Sequence, residues 1–313
     1  MNKKKSDVAG WIVENMLENI ETITGKWNNG QTNKQDIVNI SLCYRNGISN
    51  NAYTGFNPFQ CWVHSTAYGF TNNVYYTPLQ AKKLSLILKE EFKSDKVNNK
   101  YHYTMLTFYK KLNFKDKKTD EKITIPLLRY FTVYNIDQYV DNDAKKKQIE
   151  KHAENKKPVI VNEIGKIEAI EKVISNYIIN QPTLDLRITK KPGYPSYSPT
   201  NDIISIPDIK FFKTNIAYYE SLIHESVHST GNVKRLKRPM HGMNNKSEYA
   251  IEELIAEFGV AYLSEKINVE YDAKNILLYI KGWLSALKSN PNQLIKAAAK
   301  SSKAVNYIMG DIT

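Results

Sequence analysis

Two histidines separated by one helical turn are the feature of the sequence best suited to chemistry. The stretch YYESLIHESVHSTG contains His224 and His228, with Glu225 directly after the first histidine. Residues i and i+4 lie on one face of a helix, so the two imidazoles can bind one cation. This HExxH spacing is typical of metallopeptidases, in which the glutamate takes a proton from a metal-bound water. The same spacing also arises by chance on ordinary helices, and the pattern alone leaves that alternative open.

A catalytic zinc site needs a third protein ligand and an open position for water. The segment SEYAIEELIAEFGVAYL has the apolar spacing of a helix and carries Glu253 and Glu257 one turn apart. We predict that His224, His228 and Glu253 bind the metal and that Glu257 orients a histidine through its second nitrogen. Glu257 as the ligand is the main alternative, and Glu252 is a weaker one.

Two imidazoles and one carboxylate form a donor set that suits zinc, and manganese or cobalt can occupy similar sites. The metal is required because it lowers the pKa of bound water toward neutrality, which makes Glu225 the predicted catalytic residue. The remaining faces of the helix are apolar, so the histidines are expected at the boundary of a buried core.

The segments on both sides of this helix provide further candidate features of a cleft. Asp202–Pro207, just upstream, is either an edge strand that holds an extended substrate above the metal or a core strand. Gly231, just downstream, predicts a left-handed turn that ends the helix. The run NVKRLKR then places four basic residues near the cleft, although such runs more often form a solvated surface: Lys234, Arg235, Lys237 and Arg238.

Hydrophobic periodicity predicts the elements that must position these residues. In the C-terminal half we expect helices over 164–180, 215–229, 248–267, 273–287 and 292–309, and strands at 184–190 and 202–208. In the N-terminal half we expect a helix from Val8 to near Gly25 and a second one in TPLQAKKLSLILKEEF. Two antiparallel strands are expected in KYHYTMLTFYKKLNF and KITIPLLRYFTVYNIDQYV.

Residues 143–157 are rich in charged residues and poor in apolar ones, which favours a linker. The predicted division is therefore a domain at 1–142 and a second domain at 158–313. The first domain mixes helices and strands, whereas the second is mainly helical with a small sheet. The predicted fold class is α+β.

The 313-residue chain has a formal net charge of +12, an excess that attracts polyanions such as nucleic acid. A lysine-rich genome would produce the same excess. Cys43 and Cys61 have neither metal-binding nor paired spacing, which fits a reducing cytoplasm. Acidic residues interrupt the N-terminal apolar stretch, and no apolar run is long enough to span a membrane, so we expect neither a signal peptide nor a membrane partner.

Several segments together resemble one known family. HESVHSTGNVKRLKR followed by YAIEELIAEFGVAYL resembles the metallopeptidase domain of the ArdC family of antirestriction proteins, and SYSPTNDIISIP resembles the segment before it. NAYTGFNPFQCW, TPLQAKKL and LLRYFTVYNIDQ are similar to the family's N-terminal single-stranded-DNA-binding domain. IKGWLSALKSNPNQLIKAAAKSSKAVNYI resembles its C-terminal helical tail. The resemblance implies a zincin-like metallopeptidase domain and protection of the incoming DNA of a mobile element from host restriction.

Proteins that bind single strands combine a cationic groove with aromatic side chains on which bases stack. Aromatic and basic residues interleave in the N-terminal half of this chain. With the charge and the resemblance, they predict single-stranded DNA as a partner and contacts from Arg45, Tyr53, Phe56 and Arg129. Strand aromatics more often belong to a core, which is the alternative for each of these aromatic residues.

These features predict a cytoplasmic antirestriction protein that binds single-stranded DNA and hydrolyses peptide bonds, with a host restriction enzyme or another DNA-bound protein as substrate. One alternative is a non-proteolytic DNA-binding protein with a structural metal site. Another is a DNA-dependent metalloprotease that acts on DNA-bound or DNA-crosslinked proteins. A third is a plain cytosolic metallopeptidase whose basic surface reflects genome composition.

Overall fold

The computed structural model describes residues 8–28, 39–40, 42–93, 96–97, 100–115, 122–153, 163–240, 246–269, 271–272, 282 and 292–311. The chain divides into two compact units: unit 1 comprises residues 1–23 and 43–156, and unit 2 comprises residues 24–42 and 157–313. Each unit combines helices with a small sheet, which confirms the predicted α+β class. Among the described helices, none is both long and apolar enough to cross a membrane.

The elements of the first half are, in chain order, α1 (Val8–Asn28), β1 (Asn39–Ile40), β2 (Arg45–Asn46), α2 (Asn57–Tyr68), β3 (Val74–Tyr76), α3 (Pro78–Lys83), β4 (Lys96–Val97), β5 (Lys100–Tyr101), β6 (Thr104–Lys115), β7 (Lys122–Asn135) and α4 (Asp143–Ala153). Unit 1 is built on a four-stranded sheet of order β2-β3-β7-β6. The long hairpin β6–β7 confirms the predicted pair of antiparallel strands.

The helix predicted in TPLQAKKLSLILKEEF is correct at its start and wrong in its length. Thr77 and Gln80 form a capping box, in which each side chain accepts a hydrogen bond from the other residue's main-chain N–H. The helix ends at Lys83, and Ser85 has a positive φ of 55°. The chain turns back there because Leu86 is buried in the core beside Tyr76.

The predicted linker at 143–157 is wrong over most of its length, because Asp143–Ala153 forms helix α4. Ala144 and Ile149 pack against the core of unit 1. Buried polar residues supply the rest of the contact: Lys145 Nζ donates to the main-chain oxygen of Tyr139, and His152 contacts Asn50. These polar contacts attach the helix to unit 1, although the segment contains few apolar residues, which is the feature that favoured a linker. The domain limits themselves stay a prediction.

The elements of the second half are α5 (Glu163–Ile179), β8 (Asp185–Thr189), β9 (Ser196–Ser198), β10 (Ile203–Pro207), α6 (Asn215–Ser229), α7 (Lys246–Lys266), β11 (Tyr271–Asp272) and α8 (Asn292–Ile308). The predicted helix at 273–287 lies outside the described residues except for residue 282, which is helical. Helix α6 packs against α5, α7 and the sheet formed by β8, β10 and β9. Its buried residues Leu222, Ile223 and Val227 form the apolar face that the sequence predicted.

Candidate metal centre

The two histidines of helix α6 converge on one point. The helix begins at a cap in which Thr214 Oγ1 accepts a hydrogen bond from the Ala217 N–H at 3.1 Å. Ten residues later the spacing of His224 and His228 brings their Nε2 atoms to 3.1 Å from each other. Both imidazoles therefore turn the same nitrogen toward a shared position, as a pair of metal ligands does.

Helix α7 crosses α6 and brings a carboxylate to the same position. The Glu253 Oε2 atom lies 3.4 Å from His224 Nε2, and Glu253 Oε1 lies 3.5 Å from His228 Nε2. One ligand atom from each of the three residues falls within a 4.8 Å cluster. His228 is buried and the other two residues are half-buried, and this set of two imidazole nitrogens and one carboxylate oxygen fits a divalent cation.

The second nitrogen of each imidazole contacts a different carboxylate. Glu257 Oε1 lies 3.3 Å from His224 Nδ1, and Glu252 Oε1 lies 3.3 Å from His228 Nδ1. Carboxylates at this position hold the tautomer and the ring orientation of metal-binding histidines. Glu257 thus lies where the sequence predicted an orienting residue. Glu252, the weakest candidate for the third ligand, instead contacts the outer nitrogen of His228.

Arg238 supports Glu252 from the other side, and sequence reasoning missed this role. Its Nε and Nη2 atoms donate to the two carboxylate oxygens of Glu252 at 3.1 and 2.6 Å, and Nη1 donates to Thr230 Oγ1 at 2.7 Å. The side chains of Arg238 and Glu252 are 5% and 8% exposed. The predicted basic run is therefore divided: Arg235 and Arg238 have buried side chains, whereas Lys234 and Lys237 are exposed.

Burial and charge act in opposite directions on the protonation of the site. Burial disfavours the charged form of His224, but Glu253 and Glu257 outweigh it and raise the pKa of His224 to about 10. Burial alone would raise the pKa of Glu253, but the two histidines outweigh this effect and hold that pKa far below its usual range. Burial raises the pKa of Glu225, against the attraction of both imidazoles. Glu225 lies in the same cleft, which Tyr197 also lines.

The site opens into a cleft of about 830 Å³ that is lined by α6, α7 and the segment around β9. The interpretation of Asp202–Pro207 as an edge strand is wrong. Its strand β10 is the central one, paired in parallel with β8 and antiparallel with β9, and Ile204 and Ile206 are fully buried. The alternative of a core strand is correct. The edge strand at the cleft is β9, which lies in the segment between the two predicted strands.

Gly231 does not form the predicted left-handed turn, since it is absent from the described glycines with positive φ. A Cβ atom there would lie 2.8 Å from Met240 Sδ and 3.0 Å from Arg238 Nη2. The small size of Gly231 therefore leaves room for the side chains of Met240 and Arg238, whereas its own backbone conformation does not need a glycine.

The four residues predicted to contact DNA lie in unit 1 and differ in accessibility. Arg129 is exposed on β7, directly opposite Phe108, which is 48% exposed on β6. Arg45 is half-buried and donates to the main-chain oxygen of Asn50 and to Cys43 Sγ. Tyr53 is half-buried with a buried hydroxyl.

Phe56 is 2% exposed and packs against Phe59, so a base cannot stack on it and the prediction of a DNA contact from Phe56 is wrong. Phe108 is an exposed aromatic residue of unit 1 that the sequence analysis did not single out. Strand periodicity alone could not reveal it, because both faces of β6 carry aromatic residues.

Comparison with known families supports both halves of this description. Residues 6–134 match the family described as the N-terminal domain of anti-restriction factor ArdC. Residues 176–300 match the family described as zincin-like metallopeptidase. Each match covers less than half of the chain, and together they confirm the predicted resemblance: an ArdC-type N-terminal domain is followed by a zincin-like domain.

Two curated relatives match different shares of the chain. The uncharacterised protein y4eC of Sinorhizobium fredii is 25% identical over 271 residues, which cover 84% of this chain and 80% of that protein. DNA primase TraC of Escherichia coli is 30% identical over 113 residues, although these are 36% of this chain and 8% of the primase.

Two solved structures share the fold over almost the whole chain. The metal-free crystal structure of antirestriction protein ArdC from plasmid R388 matches with a TM-score of 0.62 at 24% identity, covering 95% of this chain and 98% of that one. The Mn(II)-bound structure of the same protein matches with a TM-score of 0.61 at 22% identity, covering 95% and 97%. At these identities the similarity establishes the fold.

Proposed function

We propose that this chain, which joins an ArdC-type N-terminal domain to a zincin-like metallopeptidase domain, is a metal-dependent peptidase that acts in antirestriction. The convergence of His224, His228 and Glu253 within 4.8 Å, beside Glu225 in an open cleft, is the observation that carries the proposal. In this assignment the three clustered residues are the metal ligands, and Glu252 and Glu257 orient the two histidines.

When bound by these three residues, a divalent cation supplies a Lewis acid that lowers the pKa of water and polarises the substrate carbonyl. Glu225 takes the proton that the attacking water loses as its oxygen bonds to the carbonyl carbon. The same carboxyl then delivers the proton to the amide nitrogen as the C–N bond breaks. Zinc fits the donor set, and Mn(II), bound by the R388 protein, is also compatible with it.

An extended polypeptide is the substrate form that this cleft favours. Strand β9 has β10 on one side, and its other side faces the cleft that contains Glu225. A substrate strand that adds to this edge would lie beside the metal site, with hydrogen bonds to the β9 main chain. This arrangement replaces the predicted one, in which Asp202–Pro207 would have held the substrate.

Unit 1 is the proposed site for single-stranded DNA. The exposed pair of Phe108 and Arg129 offers a stacking surface and a positive charge on one face of the β6–β7 hairpin. The net charge of +12 adds a general attraction for nucleic acid. DNA would bring the peptidase to DNA-bound proteins, among them restriction enzymes, in the cytoplasm of a cell that receives a mobile element.

The test is proteolysis of a panel of DNA-bound proteins, with and without single-stranded DNA, by the wild-type protein and by Glu225→Gln. Metal content is measured first and must be equal in the two proteins. We expect cleavage by the wild type alone and faster cleavage when DNA is present. A loss of antirestriction in cells with Glu225→Gln would connect the cleavage to the biological role.

Two outcomes would favour other functions. If neither protein cleaves anything and Glu225→Gln retains full antirestriction, the metal site is structural and the chain acts by binding DNA. If the wild type cleaves proteins but does not bind a single-stranded oligonucleotide at any salt concentration, it is a plain metallopeptidase.

A further inference from the structure

A tyrosine on the edge strand lines the same cleft as the proposed catalytic glutamate and contacts a buried ion pair through its side chain. The Tyr197 hydroxyl donates to Asp202 Oδ1 at 2.8 Å. The hydroxyl oxygen of Tyr197 also accepts hydrogen bonds from Asn232 Nδ2 at 2.8 Å and from Arg235 Nη2 at 3.1 Å. One hydroxyl thus has three protein partners from two segments of the chain, which holds the ring in one orientation.

The ion pair that contacts this hydroxyl is buried, and each of its partners makes a further hydrogen bond within the protein. The side chains of Arg235 and Asp202 are 2% and 5% exposed. Arg235 Nε donates to the main-chain oxygen of Ser229 at 2.7 Å, and Thr183 Oγ1 donates to Asp202 Oδ2 at 2.6 Å. The pair therefore joins the sheet to the C-terminal end of the helix that carries His224 and His228. Separating such a buried pair is costly, because each partner would be left as an uncompensated charge. The pair therefore holds the sheet firmly to this end of the helix.

The main chain of the same tyrosine faces the cleft. In an antiparallel pair, successive residues turn their N–H groups alternately toward the partner strand and away from it. Within Ser196–Ser198, Tyr197 is the residue that turns away from β10, and its N–H faces the cleft that Glu225 also lines. Pro195 and Pro199 flank the strand and have no N–H. Tyr197 therefore carries the N–H donor of this short edge.

We propose that Tyr197 is a positioning residue, through which the buried pair of Asp202 and Arg235 sets the distance between strand β9 and Glu225. The side chain attaches the strand to the end of helix α6, and this holds the main-chain N–H of Tyr197 at the edge of the cleft where substrate would add beside Glu225. The inference rests on the proposed peptidase activity. It is more specific than that activity, because it assigns the alignment of base and substrate to one hydroxyl.

The variant Tyr197→Phe removes that hydroxyl and keeps the ring and the main-chain N–H. Amide hydrogen exchange at position 197 is measured in the full-length protein, together with Mn(II) binding and the hydrolysis of fluorescently labelled casein. We expect exchange at residue 197 to become at least about tenfold faster while the Ile204 amide on β10 is unchanged. Mn(II) binding should stay within about twofold, and kcat should fall at least about tenfold with little change in KM.

Tyr307→Phe is the matched control, because it removes a hydroxyl that contacts Gln181 in the same unit at 3.3 Å and lies outside the cleft lining. It should change none of these quantities. Exchange at residue 197 that is as slow in Tyr197→Phe as in the wild type would overturn the inference. If the variant does not fold, Asn232→Ala, which removes one donor to the same hydroxyl, carries the same test.

The failure of the proposed function would look different. In that case the wild-type protein would not hydrolyse casein at all, and the exchange measurement would decide alone whether Tyr197 holds the edge strand. Faster exchange at position 197 in the variant would support this role. Unchanged exchange would refute it.

Discussion

Gly259 on helix α7 lies directly against Val227 on helix α6: a Cβ atom added to the glycine would meet Val227 Cγ2 at 2.5 Å. Val227 precedes His228, and Gly259 follows Glu257 by two residues. The absence of a side chain at Gly259 therefore permits the helix approach at which the carboxylates of α7 reach the imidazoles of α6. The geometry of the metal site depends on this contact between two residues that themselves bind nothing.

The substitution Gly259→Ala should separate the two helices. We expect a loss of about 1–3 kcal/mol in the free energy of unfolding, since overpacking a tight contact costs this much. Metal affinity should fall at least about tenfold, because the orienting and ligating carboxylates shift together. Urea denaturation and calorimetric titration with Zn²⁺ measure the two effects. Gly193→Ala, at a position with nothing within 4 Å, is the control and should be neutral in both.

The substitution Arg238→Met should destabilise unit 2 severely. It leaves Glu252 with a buried carboxylate that has lost its guanidinium partner, and such losses cost about 3–5 kcal/mol. Combining it with Glu252→Gln should restore part of the stability, which a double-mutant cycle measured by urea denaturation would detect. Lys234→Met, at an exposed position of the same segment, should stay within about 0.5 kcal/mol of the wild type. A similar loss of stability in Arg238→Met and in Lys234→Met would contradict this prediction.

The three glutamates of helix α7 that contact the histidines should differ in their effect on metal binding. Glu253→Gln removes a proposed ligand and should abolish the gain in thermal stability that added Zn²⁺ gives the wild type. Glu257→Gln and Glu252→Gln remove only outer partners of the histidines, so a loss of about 10–100-fold in affinity is expected. Thermal unfolding over a series of Zn²⁺ concentrations ranks them. A larger effect of Glu257→Gln than of Glu253→Gln would mean that Glu257 is the ligand and that Glu253 is the orienting residue.

The buried imidazole of His64 should make unit 1 sensitive to acid. Burial lowers the pKa of His64 from 6.5 to about 4, and its Nε2 donates to the main-chain oxygen of His102. Because the folded state binds the proton more weakly than the unfolded chain, stability falls as the pH drops from 6.5 toward 4, by about 3 kcal/mol in total. Hydrogen exchange of the α2 amides measures it. His64→Gln should lack this part of the pH dependence, and an unchanged dependence would show that other groups cause it.

Binding of single-stranded DNA should depend on the exposed cross-strand pair of unit 1. Phe108→Ala should cost about 1–3 kcal/mol of binding free energy, the usual value for a stacked base. Arg129→Gln should weaken binding and reduce the slope of log K against log salt by about 0.7. Fluorescence anisotropy with a labelled oligonucleotide at several salt concentrations tests both.

Phe211→Ala, which removes an exposed phenylalanine of unit 2, is the control for DNA binding and should have no effect. Phe56→Ala should instead lower the stability of unit 1 by about 3–5 kcal/mol, because Phe56 belongs to the core. DNA affinity that is unaffected by changes at both Phe108 and Arg129 would remove the β6–β7 hairpin from the proposed interface.

The histidine helix could be predicted with its limits, since its information is local. The cap at Thr214, the apolar stripe and the spacing of His224 and His228 all lie within 15 consecutive residues of one helix and its cap. Helical spacing also identified Glu253 and Glu257 as candidate ligands one turn apart, but it did not decide between them. The length of α3 and the helical state of 143–153 could not be predicted in this way, because long-range burial of Leu86 and His152 determines both.

The sequence by itself therefore determined the kinds of chemistry available to this protein: a pair of imidazoles, a neighbouring carboxylate and a basic, aromatic-rich N-terminal half. Only the tertiary structure decided which strand forms the edge of the cleft, which glutamate faces each histidine nitrogen and which arginines are buried. The physical reason is that residue spacing defines positions on one helix or strand. The rotation and pairing of that element relative to its neighbours depend on packing contacts such as that of Gly259 with Val227, which residue spacing does not reveal.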